Sequence, residues 1–289
     1  MRRNGFVILA ALFSAAFPLS LGAQEELGKK ERPKILIEWA KKETKNYIIE
    51  YEKVIPDETV KKIADALEEV LVQYNAVFKF TSKQKLKVKF LDSRNTYIQE
   101  GGDPSHPGFY SSRSRCLVIQ QMEFWNLLPT VYHEAFHQYL HEYMGDDVPI
   151  PLWFNEGLAT YYEGMQKDKQ SKKLDPKLID NRKLRMVRDA VFTRSAIPLE
   201  QLVDATPEQF HDKEKEDLYY NQSFAVVYFL MQAMGGKPVF QYATELKKTK
   251  DVAAATDKIF GKGRRNLKTI EKKWKEYVAT VKIEEPESK

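Results

Sequence analysis

A single cysteine, Cys116, stands in 289 residues. No disulfide can form within one chain, so stability must come from packing even if the protein meets an oxidising compartment. Cys116 lies in the apolar run RCLVIQ and reads as a buried small hydrophobe rather than a nucleophile or ligand. Long apolar runs are as scarce as cysteine. Downstream of the N-terminus no stretch approaches the length needed to cross a bilayer. An excess of one charge sign is also lacking: 46 basic residues face 41 acidic ones, for a formal charge of +5. The basic runs QKDKQSKK and GKGRRNLK are set among acids and carry no interleaved aromatics. They read as solvated faces, and no nucleic-acid partner is expected.

The first residues, MRRNGFVILAALFSAAFPLSLGA, join two arginines to an apolar stretch interrupted by Pro18 and then to small residues before QEE. That order is the pattern of a secretory signal peptide over residues 1–23, with cleavage expected after Ala23; an uncleaved anchor is the second reading. No stable membrane span is expected after cleavage, and the mature protein would be periplasmic or secreted. Without Arg2 and Arg3 the chain keeps 44 basic against 41 acidic residues, which is close to balance.

Residues 24–45 are charged with weak periodicity and read as a linker or loosely attached segment. From residue 46 a single domain is expected to extend to residue 282. Its β-rich half, 46–121, holds the alternating NYIIEYE and KLKVKFL, a helix across DETVKKIADALEEVLVQYNAVF, and the third strand RCLVIQ. Its helical half, 122–282, runs through MEFWNLLPTVYHEAFHQYLHEYM, LWFNEGLATYYEGM, KLIDNRKLRMVRDAVF and DLYYNQSFAVVYFLMQAM to closing helices. The fold class is therefore α+β: a small N-terminal mixed sheet with a helix, followed by a mainly helical half. Residues 283–289 read as a disordered tail.

His133, Glu134 and His137 form HExxH inside the longest aromatic and aliphatic helix. Four residues advance about 6 Å along a helix and overshoot one turn by about 40°, so both imidazoles project from one face and can share an ion. Glu134, beside the first of them, is placed to act on a water without itself ligating. A catalytic zinc site needs a third protein ligand and an open position. Glu156 in PLWFNEGLATYY is the best candidate, one turn inside a helix that Pro151 can open. Gly157, costing about 1 kcal/mol against alanine in a helix, fits a close approach of that helix to the metal helix. Three of the five histidines cluster here, which argues against a chance match.

These residues resemble the gluzincin metallopeptidases, in which HExxH is followed by an asparagine–glutamate pair. More narrowly, VYHEAFHQYL together with PLWFNEGLATYYEG resembles the bacterial peptidase MA-like domain. The resemblance implies one Zn2+ held by His133, His137 and Glu156, and a peptide or protein substrate. It also implies that Glu134 is the general base that deprotonates the water and passes the proton to the leaving amine. Tyr220, in a YNQS stretch similar to the tyrosine-bearing helix of that family, is the expected oxyanion donor. Tyr219 could replace it, and either could instead be core packing. Asn155 is expected as structural support. Thr160 stands one turn beyond Glu156, where gluzincins often place a carboxylate that orients a ligand histidine. His141 continues the i, i+4, i+8 row but lies about 12 Å from His133 along a straight helix. It is expected as a supporting residue outside the ligand set, or as the polar continuation of that face.

RCLVIQ precedes the metal helix as the substrate-pairing edge strand does in gluzincins, and the same role is expected for it; an interior strand is the other reading. The absence of a GAMEN-like segment disfavours an aminopeptidase that grips a free N-terminus. The alternative to a peptidase is an exported binding or scaffold module that keeps a structural metal site, motivated by the threonine where a carboxylate is usual.

Overall fold

The computed structural model describes residues 37–283. The expected signal peptide and residues 284–289 of the expected tail lie outside the described residues. Of the linker expected over 24–45, Trp39–Glu43 forms strand β1, which pairs antiparallel with β2, Tyr47–Glu52. WAKKE is mostly polar because an edge strand presents one side to water, and this hid it from a search for apolar alternation.

Helix α1, Asp57–Phe78, buries Val60, Ile63, Leu67, Val70, Leu71, Tyr74 and Phe78, the three- and four-residue spacing of one helical face. It crosses over to β3, Leu86–Leu91, which lies parallel to β2. After α2, Arg94–Gln99, and a loop, β4 (Gly108–Ser111) and β5 (Cys116–Gln120) complete the sheet in the order β1-β2-β3-β5-β4. β5 is thus interior, parallel to β3 and antiparallel to β4. The edge is β4, so the placement of RCLVIQ at the edge is corrected. Four consecutive buried residues, Cys116 to Ile119, are what a strand covered on both faces requires. They alternate: Leu117 and Ile119 enter the main core, while Cys116 and Val118 join Leu91 and Tyr97 on the other face. Burial pushes the Cys116 thiol up to about 11, which leaves it unreactive at neutral pH, as expected.

The second half is mainly helical. α3, Phe124–Met144, packs on α1 and on the helix that follows it through rings: Phe136 lies edge-on to Tyr74 at 5.3 Å between centroids and stacks on Tyr162 at 4.8 Å. The Tyr74 hydroxyl donates to the Tyr132 carbonyl at 2.7 Å. After Gly145 the chain reverses, and α4, Leu152–Glu163, returns along α3. A hairpin of β6, Met165–Lys167, and β7, Leu174–Ile179, follows. The helix expected across KLIDNRKLRMVRDAVF is therefore confined to α5, Leu184–Phe192. Pro176 and the buried Leu174 and Ile179 place the preceding residues in a strand.

Two short helices, α6 (Leu199–Val203) and α7 (Pro207–Phe210), lead to α8, Glu216–Tyr228, which runs into a π-helical turn over Phe229–Ala233. α9 (Lys237–Thr249), α10 (Val252–Phe260) and α11 (Leu267–Thr280) close the domain, the last seated by the buried Trp274. Among the described residues no helix is long and apolar enough to cross a membrane.

α8 sets its distance from α4 through Gly157. A Cβ there would come within 2.7 Å of the Ser223 carbonyl oxygen and 2.9 Å of Val227 Cγ2. The glycine therefore admits α8, and not the metal helix as expected. This is the contact that carries Tyr220 to the site.

Candidate metal centre

His133 and His137 sit one turn apart on α3 with ring centroids 4.8 Å apart. Glu156 Oε2 from α4 lies 3.5 Å from His133 Nε2 and 3.6 Å from His137 Nε2. One ligand atom from each residue lies within 4.8 Å of the others, a set that could hold a metal ion. All three side chains are largely buried. Two imidazole nitrogens and one carboxylate oxygen converging from largely buried side chains are suited to a divalent ion of borderline softness. Such a three-residue set leaves coordination positions open.

The outward nitrogens of both rings are held. His137 Nδ1 lies 2.9 Å from Asn155 Oδ1, which gives Asn155 a concrete supporting contact. His133 Nδ1 lies 3.1 Å from Glu163 Oε2, and the other oxygen of Glu163 receives Lys183 Nζ at 3.0 Å. His137 meets the start of α4 and His133 its end, so the two helices run antiparallel. With N–H at Nδ1 facing an oxygen, each ring turns its Nε2 lone pair toward the shared centre.

Thr160 is buried on α4 but does not take either Nδ1. The carboxylate stands instead at Glu163, seven residues beyond Glu156. Seven residues return to within about 20° of the same helical face, so searching two turns beyond Glu156, and not one, would have found it. With Glu163 in place, the missing carboxylate that motivated the scaffold alternative is supplied.

The charges follow from this packing. Burial opposes a charge on His133, but Glu156 and Glu163 outweigh it and hold its pKa up to about 10. Burial likewise opposes charge on Glu163, yet the hydrogen bond from His133 and the Lys183 ammonium bring it down to about 2. Glu156 is held below its ordinary range against burial, by His137 first and then by His133, with a smaller contribution from His211.

Glu134 accepts the Tyr110 main-chain N–H at its Oε2, 2.9 Å away, from the edge strand β4. Tyr220 on α8 stands within electrostatic reach of Glu156 and Glu134; burial first, then Glu156, raise its phenol well above the ordinary value. Tyr219 turns away. It accepts a hydrogen bond from Gln201 Nε2 at 3.0 Å and packs on Phe210 with centroids 5.3 Å apart. Of the two tyrosines, Tyr220 is therefore the one near the acidic groups.

His211, just past α7, was not singled out from the sequence. Its Nδ1 lies 3.0 Å from Glu216 Oε1, its ring is 6.2 Å from that of Tyr220, and it is close enough to Glu156 to help keep that carboxylate ionised. A lone histidine in the polar segment FHDKEKED carries no local pattern, so tertiary packing alone reveals it. His141 stands outside the ligand group, between Tyr110 and Asp146.

A family model described as the peptidase MA superfamily matches residues 125–280, from the first turn of α3 to the end of α11. No curated protein matches the chain.

Proposed function

The chain belongs to the peptidase MA superfamily, and from that membership we propose that it hydrolyses peptide bonds of peptide or protein substrates with zinc at His133, His137 and Glu156. The carrying observation is the convergence of these three side chains beside Glu134, with both histidines oriented from behind. Bound zinc supplies Lewis acidity that polarises the scissile carbonyl and favours deprotonation of water.

Everything else falls to the chain's own groups. Glu134 has one oxygen engaged by the Tyr110 N–H, which leaves the other to take a proton from the attacking water and hand it to the leaving amine. Tyr220 keeps its proton at neutral pH and so donates a hydrogen bond to the oxyanion that develops on the former carbonyl. His211, its Nδ1 held by Glu216, stands beside Tyr220 on the same wall. Asn155 and Glu163 fix ring orientation and tautomer. The outward backbone groups of β4, the edge strand beside the site, that Glu134 does not engage pair with extended substrate. The N-terminal signal pattern supports action outside the cytoplasm, in the periplasm or medium, and N-terminal sequencing of the exported protein tests for cleavage after Ala23.

The decisive pair is wild type and Glu134→Gln. Glu134→Gln should keep stoichiometric zinc and lose peptide hydrolysis by about 10²–10⁴-fold, the usual size of a general-base contribution. Full activity in that variant with zinc bound would refute the mechanism.

A further inference from the structure

The carboxylate expected to act as general base is held by an edge strand, and that strand is itself pinned at two places along the metal helix. At one end, a Cβ on Gly108 would lie 2.9 Å from Thr130 Cγ2, so the strand rests directly on α3. At the other end, the Tyr110 hydroxyl lies 2.7 Å from His141 Nδ1. Between them, the Tyr110 N–H meets Glu134.

Thr130, Glu134 and His141 are spaced four and eleven residues along one helix. At about 100° per residue they fall within about 40° of each other, on a single face. β4 follows that face in the direction of α3: its glycine lies at Thr130, its next outward amide at Glu134, and its tyrosine ring reaches on to His141. In an antiparallel pair, outward N–H groups come at every second residue. Tyr110 has its own directed at Glu134, so β4 delivers this donor at a fixed point.

The brace continues behind the ring. His141 Nε2 lies 3.0 Å from Asp146 Oδ1, and Asp146 is gripped by Arg115 Nη2 at 2.8 and 2.7 Å from its two oxygens. Arg115 also reaches Glu142 at 3.3 Å. With Tyr110 O–H as donor and Asp146 as acceptor, His141 takes the tautomer with its proton on Nε2. Arg115 immediately precedes β5, the strand that pairs with β4, so the network closes a ring through both strands and the end of α3. Short, single-sided edge strands are weakly held by their own ladder; this one gains a side-chain strut where it carries the contact to Glu134.

We propose that Tyr110 and His141 are positioning residues for Glu134: the phenol–imidazole strut, backed by Asp146 and Arg115, fixes β4 so that its Tyr110 amide holds Oε2 of Glu134 and leaves Oε1 as the working base. The proposal rests on the peptidase reading for its catalytic consequence, but the structural coupling can be read without any activity. Hydrogen exchange at the Tyr110 amide should quicken by about tenfold in both Glu134→Ala and Tyr110→Phe, the loss of one ordinary hydrogen bond or of its support, with the neighbouring amides of β5 unaffected. Wild-type protection of that amide in either variant overturns the strut, whatever the peptidase assay shows. In the zinc-loaded enzyme, Tyr110→Phe and His141→Gln should lower kcat by about five- to tenfold, with KM changed less, zinc content at the wild-type value and the thermal midpoint lowered by no more than about 4 °C. Unchanged kcat, or a change confined to KM or zinc content, contradicts the positioning role. Inactive wild-type protein that shows the exchange pattern would refute the peptidase reading and leave the strut standing.

Discussion

On the α3–α4 wall of the site both outward histidine nitrogens have a partner, and the partner of His133 has its own in Lys183. On the α7–α8 wall, Tyr220 and His211 approach the centre from elements separated from HExxH by more than seventy residues of chain, held by ring packing on Phe210 and one hydrogen bond between His211 Nδ1 and Glu216. The first wall is built from local helical repeats of four and seven residues. The second depends on how closely α8 can approach α4, which one glycine decides. Metal binding and chemistry should therefore respond separately to mutation, although the two walls face each other.

The sharpest separation is expected from Tyr220→Phe. Losing one oxyanion donor should reduce kcat by about 10²-fold with zinc stoichiometry unchanged, whereas Tyr219→Phe should leave kcat within a few-fold. Steady-state kinetics beside metal analysis would show it, and equal losses from the two tyrosines would remove Tyr220 from the mechanism. The reverse dissociation is expected from Glu163→Gln: zinc affinity about 10- to 100-fold weaker in competition with a chelator, with kcat of the fully loaded enzyme changed less. Thr160→Val should leave affinity unchanged, since neither histidine contacts it.

Gly157→Ala strikes between the walls. A methyl group 2.7 Å from a backbone oxygen forces α8 outward, at about 1–3 kcal/mol of stability by denaturant unfolding. Because Tyr220 rides on α8, kcat should fall while zinc remains bound. A variant as stable and active as wild type would mean that the α4–α8 spacing is not what positions Tyr220.

The smallest effect concerns protons. In chelator-stripped protein the His133 pKa, about 10, lies above its ordinary 6.5. Its ion pairing therefore stabilises the fold in full below pH 6.5 and is lost as pH rises through about 10. Glu163, near 2 against an ordinary 4.5, contributes above pH 4.5, and its contribution is lost as pH falls through about 2. Ligation needs His133 neutral, so zinc uptake at pH 8 should release about one proton, measurable by calorimetry in buffers of different ionisation enthalpy. Uptake with no proton release would contradict the charged pairing of His133.

The same contrast explains what could be read in advance. HExxH and the glutamate of WFNEGLA were legible because helical spacing alone puts His133 and His137 on one face and Pro151 marks where the partner helix opens. Glu163 obeys the same periodicity, but it stands two turns beyond Glu156 and not at the one-turn position, Thr160, where the resemblance directs attention. Tyr220 was reached by resemblance of the YNQS stretch, while His211 has no periodic signal and appears only when α7 packs against α8. In the sheet, the strands were visible as alternating runs, but strand order is a long-range matter. Nothing in RCLVIQ says that GFYS will pair outside it and become the edge. The polar β1 and the hairpin β6–β7 were lost for a related reason: short edge strands bury too little to leave an apolar pattern.

The decisive question for the site is whether α4 completes a metal centre begun on α3. Metal content should be measured on purified wild type and Glu156→Ala side by side, after equilibration with limiting zinc and removal of excess. One zinc per chain is expected for wild type, and less than about a tenth of that for the variant, since losing a direct ligand should cost at least the 10- to 100-fold typical of a supporting residue. Stoichiometric zinc in Glu156→Ala, held with wild-type affinity, would show that the two helices do not share an ion.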